Sequence, residues 1–410
     1  MTTINADIAI IGGGIAGLWL HHRLNDLGYY TVLIENQTLG NAQTLSSQGI
    51  IHGGAKYSLN GMLSGATSAI SDMPKRWLDC LDGSGEIDLS ETNVLTDNQL
   101  MWSTQSLSSK LTSFFSSKAL NGHMQSLDKK SLPEFFKHPE FKGNLYRLNE
   151  PVVDVPSLLK NLSKKWQERI FCIKEEYELI SSTDGKIEKI LIGSTDELQA
   201  SIELQAKKFI LTSGEGNEAL LKRLSINTPK MQRRPLQMVL AKEKKLPGLY
   251  AHCIGASTKP LATITTHVHS DGDNVWYIGG NIAEEGVQQS KSALINHTKK
   301  TLSKLLPWFE MHGIEWETHC VNRAEPAQKA LLRPDTAFLA RANNVYITWP
   351  TKLALTPNLA DQVIAQLKQE CITPSSDEDT QRQDAEQVMN AQHSIQFSSS
   401  LWDRAFNAKN

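Results

Sequence analysis

The stretch Asp7–Gly17, DIAIIGGGIAG, is followed at Thr31–Glu35 by TVLIE. An apolar run, a glycine turn, a helical stretch and an acid-tipped apolar run make a strand–turn–helix–strand unit. Gly12 permits the tight turn out of the first strand. Gly14 lets the backbone approach a pyrophosphate on the helix N-terminus, where Ile15 and Ala16 begin the helix. Gly17 allows helix and strand to pack closely. Glu35 stands 18 residues after Gly17, where a carboxylate accepts hydrogen bonds from a ribose. The unit predicts a bound dinucleotide. A glycine turn in an ordinary α/β core would not require strand, helix and acid to agree.

A nicotinamide dehydrogenase would continue with more alternating strands and helices. This chain turns instead to Gln43–Gly54, QTLSSQGIIHGG. Thr44, Ser46, Ser47 and Gln48 can donate to a second phosphate, while Gly49, Gly53 and Gly54 let a flat ring lie against the backbone. Two isoleucines and His52 wedged between these glycines argue against a solvated surface loop.

Across Ser46–Tyr57, SSQGIIHGGAKY, the chain resembles the FAD-dependent oxidoreductases of the D-amino-acid oxidase, glycine oxidase and glycerol-3-phosphate dehydrogenase superfamily. It looks most like the glycerol-3-phosphate dehydrogenase and L-2-hydroxyglutarate oxidase branches. Such proteins carry a T/S-S-x-x-x-x-H-x-G-like segment beside the flavin. The similarity recurs at Glu150–Leu162, EPVVDVPSLLKNL, which contains Val153 and an aspartate before a helix. It recurs at Ala206–Gly216, AKKFILTSGEG, where Thr212, Ser213 and Gly214 form a turn over the adenosine, although a plain strand-to-helix connection would read the same. Asn344–Ala360, NVYITWPTKLALTPNLA, matches the final strand, loop and helix. The resemblance implies FAD as cofactor and an α/β fold, α+β overall. A Rossmann-like FAD-binding domain would carry a discontinuous antiparallel-sheet substrate domain.

At 410 residues the chain is too long for one simple core. The expected FAD-binding segments are 1–82, 146–225 and 320–371, the substrate segments 83–145 and 226–319, and the polar remainder 372–410 a flexible tail. A net charge of −2 and a pI near 6.6 offer no basic field for nucleic acid. The five cysteines, Cys80, Cys172, Cys253, Cys320 and Cys371, show no metal or redox spacing, which points to a reducing compartment. With no basic leader or long apolar segment, a cytoplasmic protein without a membrane span is expected.

Helical spacing of Leu158, Leu159, Leu162 and Trp166 predicts a helix over Val155–Arg169. Strands are expected at 171–174, 189–192 and 209–212. Residues 83–145, rich in Ser, Asn, Lys and Phe, read as an insertion over the substrate side. The runs LQMVLA, LATITTHV and NVWYIGG between Leu236 and Gly280 predict an antiparallel sheet, which the resemblance places against the flavin. A helix over Lys291–Leu306 follows. Within the tail, Ile395–Phe406 reads as an amphipathic docking segment.

A flavin carries out hydride chemistry itself, so the protein chiefly orients substrate and stabilises charge. Thr356 reads as the N-cap and Pro357 as a first-turn residue of a helix to about Gln369. The resemblance implies that this helix start points at the flavin's pyrimidine edge, with Lys352, Leu353, Ala354 and Leu355 leading into it. Many relatives carry a Gly-His-Gly-rich loop here, whereas this chain has Trp349–Ala354, WPTKLA. Lys352 is a candidate cation near the flavin or its electron acceptor, against the plainer reading of a surface lysine. Trp349 is a candidate wall of the site. Arg323 stands where relatives carry an arginine able to grip a carboxylate. Arg333 competes with it, and a surface ion pair is the plainer reading of each. His52 is a candidate flavin contact or base, with a buried structural histidine as the alternative. His267 and His269 share one strand face as candidate pocket residues, and no third ligand for a metal is identifiable.

The sequence predicts an oxidoreductase acting on a small anionic substrate, an amino acid, amine or 2-hydroxy acid, with dioxygen or a quinone receiving the electrons. Two alternatives stand beside it. The His52-Gly53-Gly54 segment favours a glycerol-3-phosphate dehydrogenase-like enzyme, and the WPTKLAL departure keeps open a regulatory FAD-binding protein with a degenerate flavin face.

Overall fold

The computed structural model describes residues 2–54, 69–104, 124–173, 177–193, 202–255, 259–328, 336–375, 386–387 and 393–407. The first strand, β1 (Thr2–Ile11), leads through the glycine turn into α1 (Ile15–Asp26) and β2 (Thr31–Glu35). This is the predicted unit. β1 pairs in parallel with β2 and with β11 (Ile202–Leu211). β2 pairs in parallel with β8 (Ile170–Cys172), and β11 with β18 (Val345–Trp349). Antiparallel neighbours, β17 (Phe338–Ala342) on β18 and β10 (Ile187–Ile192) with β9 (Tyr177–Ser181) beyond β11, extend this first sheet. Its strands are apolar on both faces, as a parallel sheet covered on two sides demands. One face carries Ile8, Ile10 and Leu33 against α1, α3 (Val155–Lys164) and α7 (Thr356–Gln369). The other carries Ile11, Val32, Phe209 and Ile347.

The second sheet runs β16 (Glu315–Pro326), β12 (Met231–Glu243), β15 (Asn274–Gly279), β14 (Pro260–Val268), β13 (Ala251–Ile254), β4 (Gln99–Ser103), β6 (Leu145–Leu148), β5 (Met124–Ser126). The antiparallel run expected over Leu236–Gly280 is its centre. Val239, Ala241, Ala262, Ile264, Trp276 and Ile278 form an apolar face packed against α6 (Lys291–Leu305). The opposite face holds His252, Thr263, Thr265, His267 and Tyr277. The sheet's extent moves the expected boundaries: β6 begins before residue 146, and β16 keeps the chain in this sheet past 320 to Pro326.

Within the tail, the segment expected to dock, Ile395–Phe406, packs on the rest of the chain. Leu39 and Phe397 form a β-bridge, and α8 (Leu401–Asn407) buries Leu401, Trp402 and Phe406 on the second sheet. Leu401, Trp402 and Phe406 supply the apolar side of that segment within an otherwise polar tail. Arg333 and Ala55–Tyr57 lie outside the described residues.

Asp7 is a buried carboxylate that ties the first strand to the segment after the last helix of the first sheet. It accepts from the Tyr30 N–H at 2.9 Å and the Ser375 N–H at 3.0 Å, and pairs with Lys207 at 2.7 Å. Burial pushes its pKa upward, but Lys207, the Ser375 hydroxyl and the two N–H groups together hold it below the ordinary value. A depressed folded-state pKa stabilises above the unfolded value and is lost as pH falls through the folded one. In urea titrations, stability is expected to fall below about pH 4. Asp7→Asn should flatten that acid limb and cost about 1–3 kcal/mol at neutral pH. An Asn variant with the wild-type acid limb would refute the assignment.

Candidate active site

The glycine turn is shaped as the spacing predicted. Gly12 has φ +116°, and a Cβ there would sit 2.7 Å from the Ser213 backbone. A Cβ on Gly17 would sit 1.9 Å from the Gly12 carbonyl oxygen, so helix and turn touch through backbone. Thr212 Oγ1 donates to that same carbonyl at 2.7 Å, and Ser213 Oγ donates to Ile11 O at 2.8 Å. These two residues therefore brace the turn, while Gly214 beside them accepts the Trp349 indole N–H at 3.0 Å. Gly14 is the N-cap of α1 and lends it no side-chain hydrogen bond. The N–H of Ile15 is met instead by Thr44 Oγ1 at 3.1 Å. Glu35 accepts the Gly13 N–H at 2.6 Å and the Gln37 N–H at 3.0 Å. Burial raises its pKa against these bonds.

The loop after Thr44 crosses the strand ends of the second sheet. Gln43 Oε1 accepts the Ala324 N–H of β16 at 3.0 Å. Ser46 Oγ lies 3.0 Å from His319 Nε2, also on β16, and Ser46 O accepts from the Tyr277 hydroxyl at 3.0 Å. Gln48 Nε2 donates to Tyr277 O and Thr263 O, on β15 and β14. Gly49 O accepts the Val153 N–H at 2.9 Å. His52 then reaches β13, with its ring 5.7 Å from that of His252. Ser47 Oγ is buried and meets no hydrogen-bond partner among the described residues.

His52 Nδ1 lies 3.3 Å from Glu150 Oε2, and Glu150 Oε1 accepts the Gly53 N–H at 2.8 Å. His252 Nδ1 lies 2.8 Å from Thr263 Oγ1. Glu150 and His252 were not singled out from sequence. Glu150 opens the recognised EPVVDVP segment, but nothing local marks its reach to a histidine 98 residues earlier.

Several expectations change. The N-cap of α7 is Leu355, and Thr356 is its first residue, donating its hydroxyl to Leu353 O at 2.8 Å. A 3-10 turn over Leu353–Leu355 shifts the helix start by one. Ala354 O accepts the Trp77 indole N–H at 3.1 Å. Lys352 is buried, 8% exposed, so the surface-lysine reading does not hold. Trp349 packs with Phe338 in the core on the far face of the first sheet. His267 is covered by Trp402, ring centroids 4.0 Å apart, and burial pushes its pKa to about 3. His269 faces Asp271 at 2.8 Å and Asp403 at 3.6 Å. Both side chains are buried. Arg323 donates to Arg234 O at 3.3 Å and faces Glu284 at 3.6 Å. On β16 it lies four strands from His252, roughly 19 Å at the usual strand spacing, so the structure does not bring Arg323 and His52 together.

The chain matches the family of FAD dependent oxidoreductases over residues 7–347 and belongs to it. It is an FAD-dependent oxidoreductase. It is 46% identical over 380 residues to a probable FAD-dependent oxidoreductase of Pseudomonas aeruginosa, covering 91% of this chain and 93% of that relative. The crystal structure of an FAD dependent oxidoreductase from Pseudomonas aeruginosa aligns with a TM-score of 0.82 at 38% identity, over 98% of this chain and 99% of the other. Glycine oxidase from Geobacillus kaustophilus shares the fold at a TM-score of 0.63 and 13% identity, over 89% and 95% of the two chains. FAD-bound L-alpha-glycerophosphate oxidase from Mycoplasma pneumoniae does so at 0.61 and 15%, over 89% and 95%. Among the described residues no helix is long and apolar enough to cross a membrane.

The residues present fit FAD. The α1 N-terminus opens on a turn with no room for side chains, a hydroxyl loop with an orphaned Ser47 follows it, and an acid closes β2.

Proposed function

We propose that this enzyme oxidises a C–N or C–O bond in a small amino acid, amine or 2-hydroxy acid, next to its carboxylate. The observation that supports this is the loop Gln43–His52, which runs from the helix N-terminus across β16, β15, β14 and β13. It joins a nucleotide cradle to the polar face of the second sheet. Gly12, Gly14, Ile15, Ala16, Gly17 and Glu35 would hold the adenosine diphosphate portion, with Thr212, Ser213 and Gly214 bracing the turn. Thr44, Ser46, Ser47, Gln48, Gly49 and Val153 would follow the cofactor toward its ring, and the Lys352–Thr356 segment would meet the ring's far edge. When bound, the flavin supplies the hydride-accepting atom N5.

The substrate would lie on the side of the second sheet where Thr263, His252 and His52 converge. Glu150 fixes the His52 ring through one oxygen while the Gly53 N–H holds the other, so the imidazole presents a defined edge to a polar substrate. Lys352, buried just before α7, would place positive charge beside the helix N-terminus. Arg323 is the weaker anion anchor because Glu284 already faces its guanidinium.

Anaerobic mixing of the FAD-loaded protein with amino acids, amines, 2-hydroxy acids and glycerol 3-phosphate tests the reading. Bleaching of the flavin band by the amino-acid, amine or hydroxy-acid groups is expected, with dioxygen or a quinone restoring it. Bleaching by glycerol phosphate alone, or by none of them, would overturn it.

A further inference from the structure

The geometry points to a divalent transition-metal site formed by His52, Glu150 and His252, with zinc as the reference ion. The three side chains come from separate parts of the chain, yet their ligand atoms lie within 4.8 Å of one another. Two imidazoles and one carboxylate form a three-ligand set suited to zinc, which leaves a fourth position for water or a small anion.

The groups behind these ligands are arranged as a metal site needs. Glu150 uses Oε1 to accept the Gly53 N–H at 2.8 Å and turns Oε2 toward His52 Nδ1. His252 has Nδ1 2.8 Å from Thr263 Oγ1, a partner that orients the ring and makes Nε2 the ligating nitrogen. The cluster sits in a graded environment. His252 is fully buried, the Glu150 side chain is 4% exposed and that of His52 16% exposed, so an ion reaches the site past His52.

Zinc holds its ligands at about 2.0–2.2 Å, so binding must draw the three atoms closer together than they now stand. His52 is the most exposed of the three side chains, 16% against 4% for Glu150, so the ring turns toward the ion while the backbone beside it stays paired to Pro151–Val153. Ligation through His52 Nδ1 would replace its contact with Glu150 Oε2, leaving the imidazole's single proton on Nε2 and the carboxylate ionised, as metal ligands require. This site involves no electron transfer, and binding requires no turnover, so its test is separate from that of the proposed reaction.

FAD-loaded protein freed of metal with a chelator is dialysed against zinc chloride, and bound zinc is measured by atomic absorption. One zinc per chain is expected. Glu150→Gln and His252→Gln should each weaken binding by more than the roughly 10–100-fold that loss of an orienting partner causes. His312→Gln, at an exposed position away from the cluster, should leave it intact. Because His252 is fully buried, His52→Gln is the second variant, with far-UV circular dichroism and flavin absorbance certifying the fold. Wild-type protein that retains no zinc, or folded variants at positions 52 and 150 that retain as much as wild type, would overturn the site.

Discussion

Gly17→Val is expected to yield protein that purifies without its yellow colour. A side chain there begins 1.9 Å from the Gly12 carbonyl oxygen and 2.8 Å from Thr212 Oγ1. Neither neighbour can retreat. The Gly12 N–H is held by Ile34 O at 2.9 Å and its carbonyl by Thr212 at 2.7 Å, while the space beside Gly12 is filled by Ser213 backbone. The N-terminus of α1 must therefore lift off the turn, and its first N–H groups would no longer point toward the proposed pyrophosphate position. Overpacking costs about 1–3 kcal/mol where surroundings yield. Placed entirely on the cofactor site, that is roughly 5- to 150-fold weaker FAD binding, and this rigid site belongs at or beyond the upper end. The measurement is the ratio of flavin to protein absorbance after purification, repeated with added FAD. Gly248→Ala, whose Cβ meets nothing within 4 Å, should retain the full complement. A folded Gly17→Val protein with the wild-type ratio would remove the close-packing account of this glycine.

The architecture of the proposed nucleotide half was legible because its contacts are local. The turn, Thr44 and Glu35 lie within one strand–helix–strand unit and the loop after it, so spacing alone places them on the α1 N-terminus. Thr212 and Ser213 were legible as a small-residue turn, although their bracing of the Gly12 and Ile11 carbonyls was not. The other half depends on tertiary closure. Glu150 and His252 meet His52 only because β13 and the segment before β7 (Val152–Val153) converge on the crossing loop, and no local period records that. Lys352 carried two readings, a cation near the flavin and a plain surface lysine, and its burial removes the second. Its burial follows from the 3-10 turn Leu353–Leu355 docking on Trp77. His267 and His269 were correctly placed on one face of a strand. What covers that face lies more than 130 residues away, in the Ile395–Phe406 docking segment, whose landing place no local pattern records.

Trp402→Ala is expected to lower stability and FAD retention together. Trp402 is 4% exposed and stacks on His267, and with Leu401 and Phe406 it covers Met238, Leu240, Val275 and Tyr277. Removing a buried tryptophan costs about 3–5 kcal/mol in lost burial and residual cavity, a large share of a typical protein's stability. The effect should spread beyond the second sheet, because the same tail segment is anchored to the nucleotide end. Leu39 N–H donates to Gln396 O at 2.8 Å, Ser398 Oγ and Arg404 Nη1 both donate to Asn41 Oδ1, and the Gly40 N–H donates to Gly13 O at 2.9 Å. Loosening α8 thus loosens a strap that ends on the glycine turn itself. The expected result is a lower urea midpoint together with weaker FAD retention, and Trp402→Phe should recover most of both. A lowered midpoint with unchanged FAD affinity would confine α8 to a local packing role. An unchanged midpoint would mean that the tail contributes no stability, despite the burial of its three apolar side chains.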